Sequence, residues 1–186
     1  MNKNIIVSIK YLILSILLFG FAYTLFITGI GYVFFRDKVT GSIIESNGSI
    51  IGSRSIGQKF SDPKFFFPRP SVCDYGTLPS SASNYGATSI ELKKDVDNRI
   101  KELGKDAPAE LLFASGSGLD PDISPQGALF QVDRISKARR LSATDKEKLI
   151  AMVREHIEQP HFKFLGSARV NVLELNIDME KVFDGK

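Results

Sequence analysis

Few side chains in this 186-residue chain are suited to chemistry. The two histidines, His156 and His161, stand five apart with Pro160 between them. Five helical residues turn through about 140°, so the pair shares no metal-binding face, and both read as surface residues. The single cysteine, Cys73, excludes a disulfide framework and a cysteine-built zinc site. Ser115-Gly116-Ser117-Gly118 lacks the G-x-S-x-G spacing of a nucleophile elbow. Gly116-Ser117-Gly118 is too short for a dinucleotide fingerprint, with Pro121 where a third glycine would stand. There is no G-x-x-x-x-G-K-[ST] phosphate loop, no D-K-T-G-T aspartate motif (Asp145-Lys146-Glu147 is not one) and no T-V-G-Y-G-like filter. The chain by itself is therefore expected neither to hydrolyse ATP nor to conduct an ion. No catalytic or metal-ligating residue is assigned.

Two polar groups hold interest. Asp120 and Asp122, in Gly118-Leu119-Asp120-Pro121-Asp122, suit either a bound cation or, as such aspartates more often do, turn and helix caps. Gln131, Arg134 and Ala138 repeat at helical spacing. That stripe fits contact with a partner or an anion, and equally a solvated face or a polar bridge in the core. Ser117 with His156 defines a rival class, an anchored extracytoplasmic hydrolase; a solute-binding module is a third.

The elements that must position these residues begin with a membrane anchor. Residues 11–35 carry no charge. As a helix they span about 37 Å, enough to cross a hydrocarbon core of about 30 Å. No A-x-A cleavage pattern follows, so an uncleaved signal anchor is expected. Lys3, Lys10 and the amino terminus precede the span, and Arg36 and Lys38 follow it. The free amine tips the balance of positive charge toward a cytoplasmic N-terminus. The expected domains are a cytoplasmic tail at 1–10, an anchor at 11–35 and an extracytoplasmic domain at 36–186. Gly20, Thr24, Thr28 and Gly31 share one helix face, where small residues would admit a partner helix. Tyr11 at one end and Tyr32, Phe34 and Phe35 at the other suit the interfacial belts. The net charge of +3 owes two units to Lys3 and Lys10, so the remainder is near neutral and carries no nucleic-acid footprint.

Beyond the anchor, Asn47-Gly48 between residues 42–46 and 49–53 predicts a β-hairpin. Residues 61–88 form a long loop with four prolines and Phe65-Phe66-Phe67, which fill the domain's own core or meet a partner or lipid. Thr88-x-x-Glu91 predicts a capping box opening a helix, with Leu92, Val96, Ile100 and Leu103 on one face and Gly104 as its stop. Residues 110–115 read as a strand and 115–123 as a glycine-rich turn. Ser124-Pro125 opens a helix to about Arg140, with Ala128, Val132 and Ile135 inward. Ser142-x-x-Asp145 opens another, carrying Leu149, Val153 and Ile157. Residues 169–175 read as a strand, with a short helix after Asn176. The fold class is α+β: a single N-terminal transmembrane helix followed by one small mixed domain.

A set of motifs runs through this domain. Gly52-Ser53-x-x-Ile56-Gly57-Gln58-x-Phe60 precedes Phe66-x-x-Arg69-Pro70-Ser71, Ser83-Asn84, Gly86 and Leu92. Ala114-Ser115-Gly116-Ser117-Gly118-Leu119-Asp120-Pro121-x-Ile123-Ser124-Pro125 leads into Gln131-Val132-x-Arg134 and Ala138-Arg139, and residues 170–176 read Val-Asn-Val-Leu-Glu-Leu-Asn. From anchor to final strand the chain resembles the C subunit of the bacterial Kdp potassium-transporting ATPase. That resemblance implies a non-catalytic accessory subunit, needed for assembly and activity, in the plasma (inner) membrane. Its implied partners are a channel-like A subunit that binds potassium, a P-type ATPase B subunit that hydrolyses ATP, and a small F subunit. It also implies a nucleotide-linked role as catalytic chaperone raising the B subunit's affinity for ATP, with Gln131 matching a glutamine of the family block, and an extracytoplasmic cap near the ion entrance. ATP and potassium enter at the level of the complex, and no cofactor is expected to bind this chain directly. Ser117, Gly118, Asp120, Gln131 and Arg134 are the family-motif residues singled out as contacts. Three positions depart from the family pattern: Pro68 where glycine is frequent, Gly127 where alanine is usual, and Arg140 where glycine is frequent.

Overall fold

The computed structural model describes residues 2–46 and 48–185. It divides into two compact units, Met1–Ile43 and Ile44–Lys186.

The first unit is a helical rod. Helix α1 (Lys3–Ser15) passes through a π-helical stretch (Ile16–Ala22) into α2 (Tyr23–Phe34). The 32-residue rod has an 18-residue window of mean hydropathy 2.3, with no residue of it buried, and so is a candidate membrane span. The hydroxyl of Thr24 donates to the carbonyl of Phe19, five residues back, at 3.3 Å. It thereby serves a carbonyl in the π stretch, where the usual ladder is disturbed. A single turn, α3 (Arg36–Val39), follows.

The second unit is α+β, with helices carrying most of the core. Strands β1 (Ile43–Ser46) and β2 (Ser49–Ser53) form the expected hairpin, although Asn47 of its turn lies outside the described residues. Helix α4 (Ile90–Leu103) begins one residue later than its sequence suggests. Ser89, not Thr88, is the cap: its Oγ accepts from the Leu92 amide at 3.2 Å and donates to Glu91 at 2.8 Å. Gly104, at φ 100, ends the helix.

Residues 110–115 are not a strand. Ala109–Leu112 form a helical turn, α5, that buries Leu111 and Leu112 together, which the alternation of a strand would forbid. The turn also aims Glu110 at the start of α6 (Pro125–Arg139), where its carboxylate accepts from the Ser124 amide at 3.0 Å. The same carboxylate fills the space a Cβ on Gly127 would need, 2.1 Å from that position. Ser124 caps α6 through the Gly127 amide at 3.0 Å. Its C-cap Arg140 adopts φ 55, the left-handed conformation that glycine favours at this position.

Helix α7 (Ala143–Glu155) is capped by Ser142 through the Asp145 amide at 3.1 Å. Strand β3 (Asp122–Ile123) pairs antiparallel with β4 (Val170–Asn171), in register Asp122 with Asn171 and Ile123 with Val170. The strand expected over 169–175 thus stops at Asn171, and α8 (Val172–Phe183) starts at once rather than after Asn176. Asn171 caps it by accepting from the Glu174 amide at 3.2 Å. Val172, Leu175, Asn176 and Met179 then fall on one buried helical face. The core joins these to Phe66, Leu111, Ile123, Ala128, Val132, Ile135, Leu149 and Val153.

Candidate functional site

Residues 63–71, one stretch of the long loop, link most of the singled-out side chains of the second unit. Gln131 and Arg134 hold its beginning, and Asp120 and Gly118 lie at its end.

At the beginning, two amides grip adjacent peptide groups. Gln131 Oε1 accepts from the Phe67 amide at 2.8 Å, and Gln131 Nε2 donates to the Phe67 carbonyl at 2.9 Å. Asn176 does the same for Phe66, at 2.8 and 3.0 Å. Each amide imitates one rung of a β ladder, so the loop backbone enters the core with its hydrogen bonds satisfied. Phe66 is thereby fully buried. Arg134 lies alongside: its guanidinium donates to the carbonyls of Pro63 and Phe65 at 2.6 and 2.9 Å and to Gln131 Oε1 at 2.6 Å. It also stacks over the Phe67 ring at 3.9 Å. Burial lowers its pKa from the ordinary 12.5 to about 10. Gln131 Nε2 further donates to the Gly127 carbonyl at 3.4 Å. Both polar atoms of Gln131, 2 % exposed, are engaged within the fold.

At the end, Asp120 accepts from Arg69 at 3.1 Å and from the Asp122 amide at 3.2 Å. The Ser115 amide donates to the Pro70 carbonyl at 3.0 Å. Gly118 takes φ 71, and a Cβ there would stand 2.6 Å from Cys73 Sγ. Gly57 lies equally close to the Asp120 carbonyl, 2.6 Å from where a Cβ would stand, and its amide donates to the Leu119 carbonyl at 2.8 Å. Ser117 Oγ accepts from the Leu119 amide at 3.1 Å. Tyr75 donates to the Arg69 carbonyl at 2.8 Å. Desolvation, then the charge of Asp74, pushes Tyr75 up from 10.0 to about 12. The hydrogen bond with the Ser71 side chain, and then backbone bonding near Ser81, hold the Cys73 thiol below its ordinary value.

Asp122 belongs to a different group. Asn171 donates to it at 3.1 Å and Arg169 pairs with it at 3.3 Å, yet burial still raises its pKa. Among the described residues no cluster of three or more histidine, cysteine, aspartate or glutamate side chains could hold a metal. His156 is more than a surface residue. Its ring nitrogens lie 2.9 Å from the Met152 carbonyl and 3.0 Å from Asp178, tying α7 to α8. His161 is exposed.

In the first unit Gly20, Thr24 and Thr28 are exposed. Gly31 faces its own chain, with Val39 Cγ2 only 3.0 Å from where a Cβ would stand.

Asn176, Asn171, Arg139 and Glu110 complete the scaffold and were not singled out from sequence. Arg139 donates to the Lys64 carbonyl at 2.9 Å and pairs with Asp184 at 3.0 Å. The signal for the two asparagines was present: each is a lone amide in the apolar run Val-Asn-Val-Leu-Glu-Leu-Asn. A buried amide in such a run must find partners.

A candidate membrane helix is followed by a small α+β unit whose motif residues hydrogen-bond within their own fold. The family described as "K+-transporting ATPase, c chain" matches residues 5–181. The chain is 41% identical over 187 residues to the potassium-transporting ATPase KdpC subunit of Koribacter versatilis, covering 97% of this chain and 95% of that one. It is 40% identical to the KdpC subunit of Leptospira interrogans with the same coverage, and 39% identical to that of Bacillus cytotoxicus over 89% of both chains. The chain belongs to the KdpC family, the c chains of K+-transporting ATPases, accessory subunits in potassium transport.

Proposed function

We propose that the chain is a non-catalytic accessory subunit of an ATP-driven potassium importer, needed for its assembly and activity. Residues 11–35 anchor it in the bacterial plasma membrane, with 1–10 cytoplasmic and 36–186 extracytoplasmic. Gly20, Thr24 and Thr28 offer a close-packing face to the channel-like A subunit, with the ATPase B subunit and the small F subunit completing the complex. The folded domain stabilises the ion-translocating subunit near its entrance.

The family match over residues 5–181 carries this reading, and Gln131 bears on its nucleotide-linked part. Its amide is buried and its polar atoms are engaged by Phe67, Gly127 and Arg134. A bound nucleotide would have to break those bonds and leave peptide groups unpaired in the core. These bonds argue against a nucleotide contact made by Gln131, so a chaperone effect on the B subunit's affinity for ATP fits coupling across the complex.

Two experiments test this. A membrane-impermeant maleimide applied to intact cells is expected to label Cys73, with a lysed and denatured sample as control. Labelling only after lysis would place the domain in the cytoplasm and sink the cap. Gly20→Leu or Thr24→Leu is expected to weaken co-purification with the A subunit, and undiminished recovery would remove the helix-docking face.

A further inference from the structure

Phe162, Phe164 and Leu165 are 81%, 75% and 54% exposed in the second unit, on one short turn. Amide-to-carbonyl bonds from Lys163 to Pro160 at 3.0 Å and from Leu165 to His161 at 2.9 Å close the turn. Phe162 and Lys163 take φ 54 and 67, a left-handed pair of non-glycine residues. Such residues pay a steric penalty that the turn must hold. The result is a protruding tip with two phenyl rings 6.3 Å apart and a lysine between them in sequence.

From these features we propose that this tip inserts into the headgroup layer of the membrane that holds the anchor. This goes beyond the accessory role above and uses only its membrane anchorage. Residues 159–168 contain no acidic side chain, while Lys163 lies between the two rings and His161 precedes them. An aromatic body with a cationic stem beside it suits an anionic lipid interface. A fully buried aromatic covers about 150–250 Å². The tip therefore offers roughly 400 Å², about half of one side of a standard protein interface but ample for insertion. Tethering raises the local concentration of the membrane surface, so a small apolar tip suffices.

The chain has no tryptophan, so a single introduced indole reports alone. Full-length Phe162→Trp and Phe164→Trp variants are reconstituted into phosphatidylglycerol–phosphatidylethanolamine vesicles, with Leu78→Trp, at a 95% exposed residue, as comparison. Bromination of the acyl chains near the headgroup is expected to quench both tip reporters about twofold and to leave the position-78 reporter unquenched. Absence of quenching at the tip overturns the proposal, as does equal quenching at position 78. A blue shift that appears only when the A, B and F subunits are co-assembled also overturns it, and assigns the tip to a protein surface. Resistance to alkaline extraction, read on the same vesicles, reports the anchor separately, so a failed anchor is distinguishable from a failed tip.

Discussion

Two short phenylalanine clusters meet opposite fates in this molecule. Phe65-Phe66-Phe67 is drawn inward until Phe66 is fully buried, whereas Phe162-Lys163-Phe164 stands in the open. Lys163 makes the second cluster more polar, and the backbone separates the two as well. A loop that enters a core must bring its peptide groups with it, and each unpaired group costs about 1–3 kcal/mol. Gln131 and Asn176 remove that cost at Phe66 and Phe67. At 162–164 the amides of Lys163 and Phe164 turn back onto their own segment, reaching Pro160 and His161, and the rings stay outside.

The strongest way to break this contrast is Phe66→Ala, which is expected to cost about 3–5 kcal/mol in denaturant unfolding of the full chain in micelles. Next come Gln131→Ala and Asn176→Ala. Each strands one amide–carbonyl pair, buried at Phe66 and half-buried at Phe67, and is expected to cost about 2–3 kcal/mol by the same measurement. If either matched a surface substitution, the clamp would not be what holds the loop. Tyr75→Phe sharpens the comparison at the loop's far end, where loss of the bond to Arg69 is expected to cost about 1 kcal/mol at neutral pH. Its pH dependence has a definite sign. The folded state keeps the Tyr75 proton up to about 12, whereas an ordinary tyrosine releases it near 10. Its contribution is therefore fully present below pH 10 and is lost as pH rises from about 10 to 12. A pH titration of stability is expected to show that alkaline loss in the parent and less of it in Tyr75→Phe. The smallest effect belongs to the exposed cluster: Phe162→Ser with Phe164→Ser is expected to change stability by no more than about 0.5 kcal/mol.

The elements legible in the sequence were those whose ends carry their own chemistry. Ser124-Pro125, Ser142-x-x-Asp145 and Gly104 mark helix boundaries by local hydrogen bonding, and the structure keeps them. Where two local signals competed, the tertiary structure chose. Thr88 and Ser89 are adjacent capping residues, and Ser89 won by one position. Residues 169–175 are rich in valine and leucine, as a strand would be, yet Asn171-x-x-Glu174 is also a helix start, and the need to bury Val172, Leu175, Asn176 and Met179 on one face decided for the helix. Residues 110–115 failed for a related reason, because Glu110 is needed at the head of α6. The motif residues themselves were legible as a set. Their use was not, since sequence spacing shows neither that Gln131 meets Phe67 across 64 residues nor that His156 meets Asp178.

The clamp on Phe66 also orders events in time. Asn176 lies 110 residues downstream of its partner. At about 5–20 residues per second, the ribosome makes Phe66 roughly five to twenty seconds before the side chain that will hold it. For the 64 residues from Phe67 to Gln131 the loop lacks that glutamine as well, and from then until Asn176 emerges it has half of its grip. A chain cut short before α8 would carry every residue of the long loop and still be unable to seat it.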